Sequence, residues 1–279
     1  MLNRYDAKDL SEKKDALKEV VQEIVLCGLS RSGFFQNAAF YGGTALRIFH
    51  NLDRFSEDLD FSLRTSDDSF LLTDFFSTLR KEVSAFGLNM EISEKVKSKE
   101  SAIQSAFLKG NTKEHMMMFF DADRKIEEIP GNEKIKIKFE VDTNPPEAAS
   151  FERRYRLLPV PYEVMLYDMP SLFAGKVHAV ICRAWKSRIK GRDLYDYVFF
   201  LSKSAHLNTE HLKARLVQSG VWNAGDSFTV EDAKHLLCER FETIDYAQAK
   251  EDVLPFLKNG SSLDIWSADF FRQITGGIR

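Results

Sequence analysis

A glycine pair and an aspartate pair, placed close together, constrain this chain more than any other feature of its sequence. Gly42-Gly43-Thr44 follows apolar residues and precedes a short helix-like stretch, and Asp58-Leu59-Asp60 comes soon after. The aspartates alternate with apolar side chains, which predicts a strand and not a solvated acidic loop. Because side chains alternate along a strand, Asp58 and Asp60 would share one face. Residues 39–63 are therefore predicted to form a strand, a glycine turn, a short helix and a second strand.

The residue types in these two motifs favour phosphate chemistry. Two carboxylates on one face suit a hard divalent cation such as Mg2+, with substrate phosphates and water completing its shell. The glycines let the backbone approach a bulky anion, and a helix that begins at Thr44 would direct free N–H groups towards it. Together the motifs predict phosphoryl or nucleotidyl transfer. Each motif alone is also compatible with an ordinary turn, helix cap or loop.

A third carboxylate is predicted further along the chain, in residues 135–142. This segment alternates cleanly, with apolar side chains on one face and charged side chains on the other. By itself, the charged face could simply be exposed to water. Beside a strand that carries Asp58 and Asp60, it offers a third metal ligand, which is either Glu140 or Asp142 on the same face.

Composition and charge exclude several classes of protein. The chain has 279 residues, of which 44% are hydrophobic, enough for one large domain or two modest ones with a proper core. A net charge of −3 excludes a globally basic nucleic-acid-binding protein but not a local basic face. The cysteines match no zinc-site spacing, and neither a signal peptide nor a membrane span is recognisable. These features predict a cytoplasmic protein with reduced thiols that does not enter a membrane.

The periodicity of apolar residues divides the chain into an α+β part and a helical part. Helices are predicted over residues 9–30 and 68–86, and strands over residues 89–96, 102–108, 135–142, 156–160 and 164–167. The Met-rich residues 116–120 are compatible with a strand or a helix. Strand patterns largely disappear after Pro170, which predicts a boundary near residues 168–170. The helices predicted beyond it cover residues 170–189, 191–203, 208–218, 230–242, 246–257 and 263–274.

The start of the helical part carries charge of one sign. There is no acidic residue from Ser171 to Arg192, and the cations in this stretch are Lys176, Arg183, Lys186, Arg188, Lys190 and Arg192. Lys176 and Arg183 are seven residues apart and would share a helix face. The stretch could be a solvated basic helix whose long side chains cover apolar surface. Because the chain as a whole is acidic, we favour a face that meets phosphates of a nucleotide or of an RNA backbone.

These motifs resemble the nucleotidyltransferase superfamily that has a DNA polymerase β-like catalytic core. Its pattern is Gly-Gly or Gly-Ser, a short gap, Asp-x-Asp, and a third carboxylate on a later strand, which Glu140 fits best. More narrowly, the sequence resembles the AbiEii/AbiGii toxins of bacterial toxin–antitoxin and phage-abortive-infection systems. The segments that carry this resemblance are Gly42-Gly43-Thr44-Ala45-Leu46, Arg54-x-Ser56-x-Asp58-x-Asp60, a stretch from Ala174 to Asp196 and a later one from Ile244 to Leu257. The last of these is interpreted as packing of the final helices.

The resemblance implies an α+β fold with two domains. Residues 1–168 would form a nucleotidyltransferase core, a mixed sheet flanked by helices, and residues 169–279 a helical C-terminal domain that completes the active site. In the core, the metal ligands would be Asp58, Asp60 and Glu140, with Asp142 as the alternative third ligand, and they would hold two Mg2+ ions.

The resemblance also assigns nucleotide-binding groups in the core. The glycine turn, Gly42 and Gly43, together with Thr44, would cradle the β- and γ-phosphates through backbone N–H groups and the hydroxyl. Ser56 would bind phosphate as well. Anchoring of the loop is an equally good interpretation for both Ser56 and Arg54.

In the helical domain, the resemblance implies a set of basic and acidic residues that complete the active site. Lys176 would contact the triphosphate and offset the charge that develops at the α-phosphate. Arg183 is a further candidate for nucleotide binding. Asp193 or Asp196 would orient Lys176 or Arg183, or help to position the acceptor. Helix capping is the alternative for Asp193.

The implied function is that of a metal-dependent nucleotidyltransferase toxin that transfers NMP from an NTP and has an antitoxin partner. Some related toxins attach nucleotides to the 3′ end of tRNA, and the basic stretch is compatible with a tRNA acceptor. One alternative is transfer to a small molecule or to a protein hydroxyl. Another is a non-catalytic nucleotide-binding module of the same fold, although the intact motifs argue against it.

Overall fold

The computed structural model describes residues 1–95, 102–120, 124–183 and 189–279. The strands in these ranges are β1 (Ala38–Tyr41), β2 (Leu59–Leu63), β3 (Met90–Glu94), β4 (Ile103–Asn111), β5 (Lys134–Asp142), β6 (Phe151–Arg156) and β7 (Tyr162–Tyr167). The α-helices are α1 (Leu10–Arg31), α2 (Gly42–His50), α3 (Phe76–Ala85), α4 (Thr112–Phe119), α5 (Met169–Cys182), α6 (Gly191–Ser202), α7 (Thr209–Gln218), α8 (Val230–Phe241), α9 (Tyr246–Val253) and α10 (Ala268–Thr275). Strands and helices precede α5 and helices follow it, so the predicted α+β class with a helical C-terminal region is confirmed.

The seven strands form one mixed sheet in the order β3-β4-β5-β2-β1-β7-β6. Strand β2 lies at its centre, antiparallel to β1 and parallel to β5. Its apolar side chains Leu59, Phe61 and Leu63 are almost fully buried, as are the apolar side chains of β5. The alternation that predicted these two strands is therefore confirmed, and the polar side chains between the apolar ones are directed to the other face.

The chain divides into two compact units. The first comprises Met1–Thr44, Glu57–Pro145 and Arg153–Leu166, and the second comprises Ala45–Ser56, Pro146–Glu152 and Tyr167–Arg279. No helix in the described ranges is long and apolar enough to cross a membrane.

An aromatic cluster forms part of the core of the first unit. The ring of Phe34 lies edge-to-face with those of Phe61 and Phe75, at centroid distances of 5.0 and 5.2 Å. Such pairs stabilise a core beyond the area that they bury. Because Phe61 belongs to β2, this packing fixes one face of the strand that carries Asp60 on the other face.

The second unit has its own aromatic core between helices. Phe173 of α5 stacks on Phe200 of α6 at 4.9 Å, and the buried Tyr197 donates or accepts a hydrogen bond with Thr275 of α10 at 2.6 Å. At the start of α6, a Cβ atom on Gly191 would lie 1.8 Å from the carbonyl oxygen of Ala249 in α9. Only glycine fits there, because α6 and α9 approach each other so closely.

Several elements differ from the sequence prediction. The strand predicted over residues 156–160 is wrong, since β6 lies earlier, at Phe151–Arg156. The helix predicted over residues 68–86 is shorter, with a 3-10 turn at Leu72–Phe75 before α3. The Met-rich segment is helical, because Asn111 caps α4 by accepting a hydrogen bond from the Glu114 N–H. Residues 184–188 of the predicted helix 170–189, which include the cations Lys186 and Arg188 of the basic stretch, lie outside the described residues.

Candidate active site

In the first unit, Gly42 makes room for the carboxylate of Asp60. Tyr41 pairs with Asp60 across β1 and β2, so the following glycine lies beside the aspartate. Gly42 has a φ of 82°, and a Cβ atom there would come within 2.6 Å of Oδ2 of Asp60. The sequence predicted that this backbone would approach an anion, and the anion that it approaches in the structure is a side chain of the protein.

Thr44 positions the other aspartate of the motif. Its side chain is fully buried in α2, and its hydroxyl donates a hydrogen bond to the backbone carbonyl of Asp58. Asp58 lies one residue before β2 and its side chain is exposed. The conformation of the chain at Asp58 is thus fixed from the glycine turn, while its carboxylate remains accessible to solvent.

The register of β2 with β5 distinguishes between the two candidates for the third carboxylate. Asp60 is the direct neighbour of Glu140, whereas Asp142 is the neighbour of Ser62. Neighbouring side chains in register lie on the same face of a sheet, about 5 Å apart at their Cβ atoms. Asp142 also accepts a hydrogen bond from the Asn144 N–H at 3.0 Å, in the turn that follows β5.

Both oxygens of Glu140 have protein partners. Ser105 of β4 donates its hydroxyl to Oε1 at 2.7 Å, and the ammonium of Lys138 donates to Oε2. Partial burial would lower the pKa of the Lys138 ammonium, but the hydrogen bond to Glu140 and the negative charges of Glu140 and of the aspartate pair raise it. A protonated lysine therefore lies within the acidic cluster of Asp58, Asp60 and Glu140, whereas the sequence pattern alone is compatible with a solvated face.

The predicted metal ligands Asp58, Asp60 and Glu140 form the acidic cluster of the first unit. In the part of the chain that the structure describes, no group of three or more His, Cys, Asp or Glu side chains is arranged to hold a metal ion. Asp60 and Glu140 nevertheless fit a hard divalent cation in chemistry, since both offer carboxylate oxygens from neighbouring positions on one face. The ammonium that Glu140 already binds indicates that this face attracts positive charge.

Gly42 carries the first testable prediction. Gly42→Ala is expected to destabilise the protein by about 1–2 kcal/mol, because alanine is strained at positive φ. It is also expected to reduce any activity that depends on Asp60, since the new methyl group displaces that carboxylate. Thermal melting and an activity assay measure the two effects. Gly131→Ala is the matched control, because a Cβ atom there meets nothing within 4 Å. Equal behaviour of the two variants would contradict the prediction.

In the second unit, a buried ion-pair network includes the predicted residues of the helical part. Helix α5 begins after Asp168, which caps it by accepting from the Ser171 N–H, and carries Lys176. The ammonium of Lys176 lies 2.7 Å from Oδ1 of Asp193 and 2.8 Å from Oδ2 of Asp196, both on α6. The spacing of three that placed these aspartates together on a helix is therefore the spacing that lets one lysine bind both.

Arg54 also belongs to this network, a role that sequence reasoning left undecided. Its guanidinium makes a bidentate ion pair with Asp196, with Nε–Oδ1 and Nη2–Oδ2 distances of 2.6 and 2.7 Å. Arg54 is 3% exposed and Asp196 is 0% exposed. Burial alone would raise the pKa of Asp196, but Arg54 and Lys176 lower it below its usual range, so Asp196 is ionised.

Arg183 reaches the network from the solvent side. It pairs with Oδ2 of Asp193, while its side chain remains 45% exposed. The network thus contains three cations, Arg54, Lys176 and Arg183, and two carboxylates. Its net charge is +1, so it can accept a further anionic group. Asp193 connects Lys176, whose side chain is 14% exposed, to the half-exposed Arg183, whereas Asp196 is enclosed by Arg54 and Lys176.

The sequence matches one protein family over most of its length. The family is described as the nucleotidyl transferase AbiEii toxin of type IV toxin–antitoxin systems, and the match covers residues 24–273. The chain belongs to this family. It is a nucleotidyltransferase toxin, a class that implies an NTP substrate and an antitoxin partner.

The fold is shared with one solved structure, and a second is similar in sequence. The nucleotidyltransferase toxin MenT4 from Mycobacterium tuberculosis is 14% identical, with a TM-score of 0.52 over 99% of this chain and 87% of the other. JHP933 from Helicobacter pylori is 16% identical, with a TM-score of 0.47 over 93% of this chain and 87% of the other. No curated protein sequence matches the chain.

Proposed function

We propose that this toxin transfers a nucleoside monophosphate from an NTP to the 3′ end of tRNA in a Mg2+-dependent reaction. The observation that carries the chemical part of the proposal is the register of β2 with β5, which makes Asp60 and Glu140 neighbours on one face. Paired carboxylates at the centre of a mixed sheet, next to a glycine turn, are suited to phosphoryl chemistry with a bound divalent cation.

In the first unit, the proposed metal ligands are Asp58, Asp60 and Glu140. When bound, Mg2+ would supply positive charge to activate the acceptor hydroxyl and to neutralise the leaving pyrophosphate. Gly42 holds the backbone against Asp60, and Thr44 fixes the position of Asp58. These two contacts preorganise the carboxylates, which is the main task of a protein in phosphoryl transfer.

Nucleotide binding in the first unit is assigned to the glycine turn. Gly43 begins α2 with Gly42, where backbone N–H groups have no partner within the helix and can bind phosphate oxygens. Ser56, which belongs to the second unit, is proposed to bind phosphate as well, and its side chain is largely buried.

In the second unit, the proposed role of Lys176 and Arg183 is to bind the triphosphate. The net charge of +1 of their network supports this role, because an anion would balance it. Asp193 contacts both cations and is proposed to orient them. Asp196, enclosed by Arg54 and Lys176, is proposed to hold Lys176 in position.

The proposal that tRNA is the acceptor rests on the basic stretch of residues 176–192. Arg183 is half-exposed and Lys190 is partly exposed, so both can reach a phosphate backbone.

Transfer to a small molecule or a protein hydroxyl is a second candidate, and the structure offers an observation in its favour. The side chain of Lys176 is only 14% exposed and binds Asp193, and the guanidinium of Arg192 lies 4.3 Å from the ring centroid of Phe256, so these two cations are engaged within the protein.

The experiment is a transfer assay with purified protein, Mg2+, bulk tRNA and each α-labelled NTP in turn. We expect one NTP to label tRNA, and we expect the label to disappear with Asp58→Ala and to decrease steeply with added salt. Label in a small molecule or in protein, with none in tRNA, would favour the second candidate. Mg2+-dependent NTP binding without any labelled product would contradict the proposed reaction.

A further inference from the structure

Arg215 is a partly buried cation for which the described part of the chain provides no carboxylate partner. It lies on α7, and its guanidinium lies against Gly175 of α5, where an added Cβ atom would be 3.6 Å from Cζ. Its Nε donates a hydrogen bond to Nε2 of His211 at 3.0 Å, which leaves the two Nη groups to bind an anion as a fork. A guanidinium held in this way is suited to an anion from outside the chain.

His211 holds this guanidinium in place and is itself uncharged. Its Nδ1 lies 2.7 Å from the carbonyl oxygen of Glu147, which can only accept, so Nδ1 carries the proton and Nε2 accepts from Arg215. Burial and the charge of Arg215 lower the pKa of His211 to about 4, although the hydrogen bond to Glu147 and the charge of Asp168 act in the opposite direction. The positive charge of Arg215 is therefore not cancelled by its hydrogen-bond partner.

His178 continues this surface towards solvent. It lies three residues after Gly175 and therefore on the same side of α5. Its Nε2 makes a hydrogen bond of 2.7 Å with the hydroxyl of Ser219, which is exposed at the end of α7. Burial lowers the pKa of His178 to about 4, and the charges of Arg215 and Arg183 act in the same direction. The charges that shift this pKa are positive, so the surface around the imidazole attracts anions.

Gly175, His178, Arg215 and Ser219 form a cluster on the α7 side of α5, the α7 cluster. Helix α5 packs against both α6 and α7. Lys176 binds the carboxylates of α6, whereas Gly175 and His178 contact residues of α7. The ion-pair network and the α7 cluster are thus separated by a helix about 10 Å wide. A polyanion with a phosphate on every nucleotide can reach both sides of such a helix.

We infer that the α7 cluster is a second anion-binding site of the toxin, and that it binds a phosphodiester group of the RNA acceptor separately from the triphosphate. This inference rests on the proposed RNA acceptor. The guanidinium of Arg215 would bind two phosphate oxygens, and His178 or Ser219 would donate a further hydrogen bond. Because both histidines are neutral, the cluster carries the single charge of Arg215, which matches the single charge of a phosphodiester better than that of a free phosphate dianion.

The test is tRNA binding by the full-length protein, measured as the fluorescence anisotropy of labelled bulk tRNA over a series of salt concentrations. Arg215→Met removes the charge but keeps a long side chain. We expect its Kd for tRNA to rise about tenfold. The slope of log K against log salt should become shallower by about one, as expected for the loss of one phosphate contact. The Kd for NTP should stay at the wild-type value, since the triphosphate is proposed to bind at Lys176 and Arg183.

Lys213→Met is the matched control. Lys213 is also a partly exposed cation of α7, but it lies two residues from Arg215 and so on roughly the opposite side of the helix. Its loss should leave the Kd for tRNA and the salt slope near the wild-type values. Equal changes in the two variants would show a general effect of surface charge and would overturn the inference.

Ser219→Asp is a second, independent test at an exposed position. The new carboxylate would lie beside His178 and would offer Arg215 an anion from within the chain. We expect the Kd for tRNA to rise and the salt slope to become shallower, as in Arg215→Met. Thermal melting establishes folding, and Ser219→Asp decides the question if Arg215→Met does not fold.

The remaining outcomes are also decisive. No tRNA binding by the wild type, or wild-type tRNA binding by a folded Arg215→Met variant, would each overturn the inference. A Kd for NTP or for inorganic phosphate that rises in Arg215→Met while the Kd for tRNA does not would assign the cluster to a free phosphate and overturn it as well. The transfer assay separates the two proposals, because tRNA binding that depends on Arg215, without any labelled product, would leave the site standing and refute the proposed reaction.

Discussion

Asp60→Asn is expected to abolish nucleotidyl transfer without unfolding the protein. Asparagine has nearly the same shape as aspartate, so it can still pack against Gly42 at the end of β1. It loses the negative charge that the proposed site needs for a divalent cation. We expect the rate of transfer to fall by about three orders of magnitude or more, because the charge that develops on the phosphates would no longer be neutralised. The labelled-NTP assay measures the rate, and thermal melting measures stability.

Asp142→Asn is the matched control for this prediction. It removes the same charge from the polar face of β5, two residues after Glu140. In the register of the sheet it lies beside Ser62 and not beside Asp60, and it accepts a hydrogen bond from the next turn. Transfer by this variant is expected to stay near the wild-type rate. A loss as large as that of Asp60→Asn would make Asp142 the third carboxylate, and a well-folded, clearly active Asp60→Asn protein would refute the metal site.

Local sequence patterns were sufficient to predict the strands at the centre of the sheet. Strand β5 was predicted at residues 135–142 and lies at Lys134–Asp142, because its alternation reflects one buried face. The strand predicted at residues 156–160 was wrong for the converse reason. Strand β6 is at the edge of the sheet, and most of its side chains are exposed or only partly buried. Without a buried face, a strand of Arg, Glu and Tyr has no apolar alternation to detect.

For the acidic site, sequence patterns predicted which side chains share a face within one strand, but not how the strands pair. Sequence placed Glu140 and Asp142 on the same face and could not choose between them as neighbours of Asp60. That choice depends on the register between β2 and β5, which pairs residues about 80 positions apart and leaves no trace in a local pattern. The proximity of Lys138 to the aspartate pair depends on the same register.

The ion-pair network of the second unit shows the same limit. The spacing of Asp193 and Asp196 predicted that they project together from a helix, and this is confirmed. The partner of Asp196 could not be predicted, since Arg54 is 142 residues away in the sequence. The burial of both groups follows from the tertiary fold, and neither Arg nor Asp is a residue type that a pattern would place in a core.

Asp196→Ala is expected to cause the largest loss of stability of any single change in this network. It would leave Arg54, which is 3% exposed, as a buried guanidinium without its bidentate partner. Breaking a buried ion pair from one side typically costs about 3–5 kcal/mol, because the remaining charge is neither hydrated nor paired. The free energy of unfolding in urea measures this cost. The double variant Arg54→Met with Asp196→Leu should recover much of the loss, since both charges are then gone.

Asp193→Asn provides the contrast, because Asp193 pairs with a cation that can reach water. After this change Lys176 keeps Asp196, and the half-exposed Arg183 can be hydrated. The loss of stability should therefore be smaller, about 1–3 kcal/mol, while transfer is strongly reduced because the proposed triphosphate-binding cations lose their orientation. If Asp193→Asn unfolds the protein as readily as Asp196→Ala does, the two aspartates do not have separate roles. If it folds and retains full transfer, Asp193 does not orient the cations that bind the nucleotide.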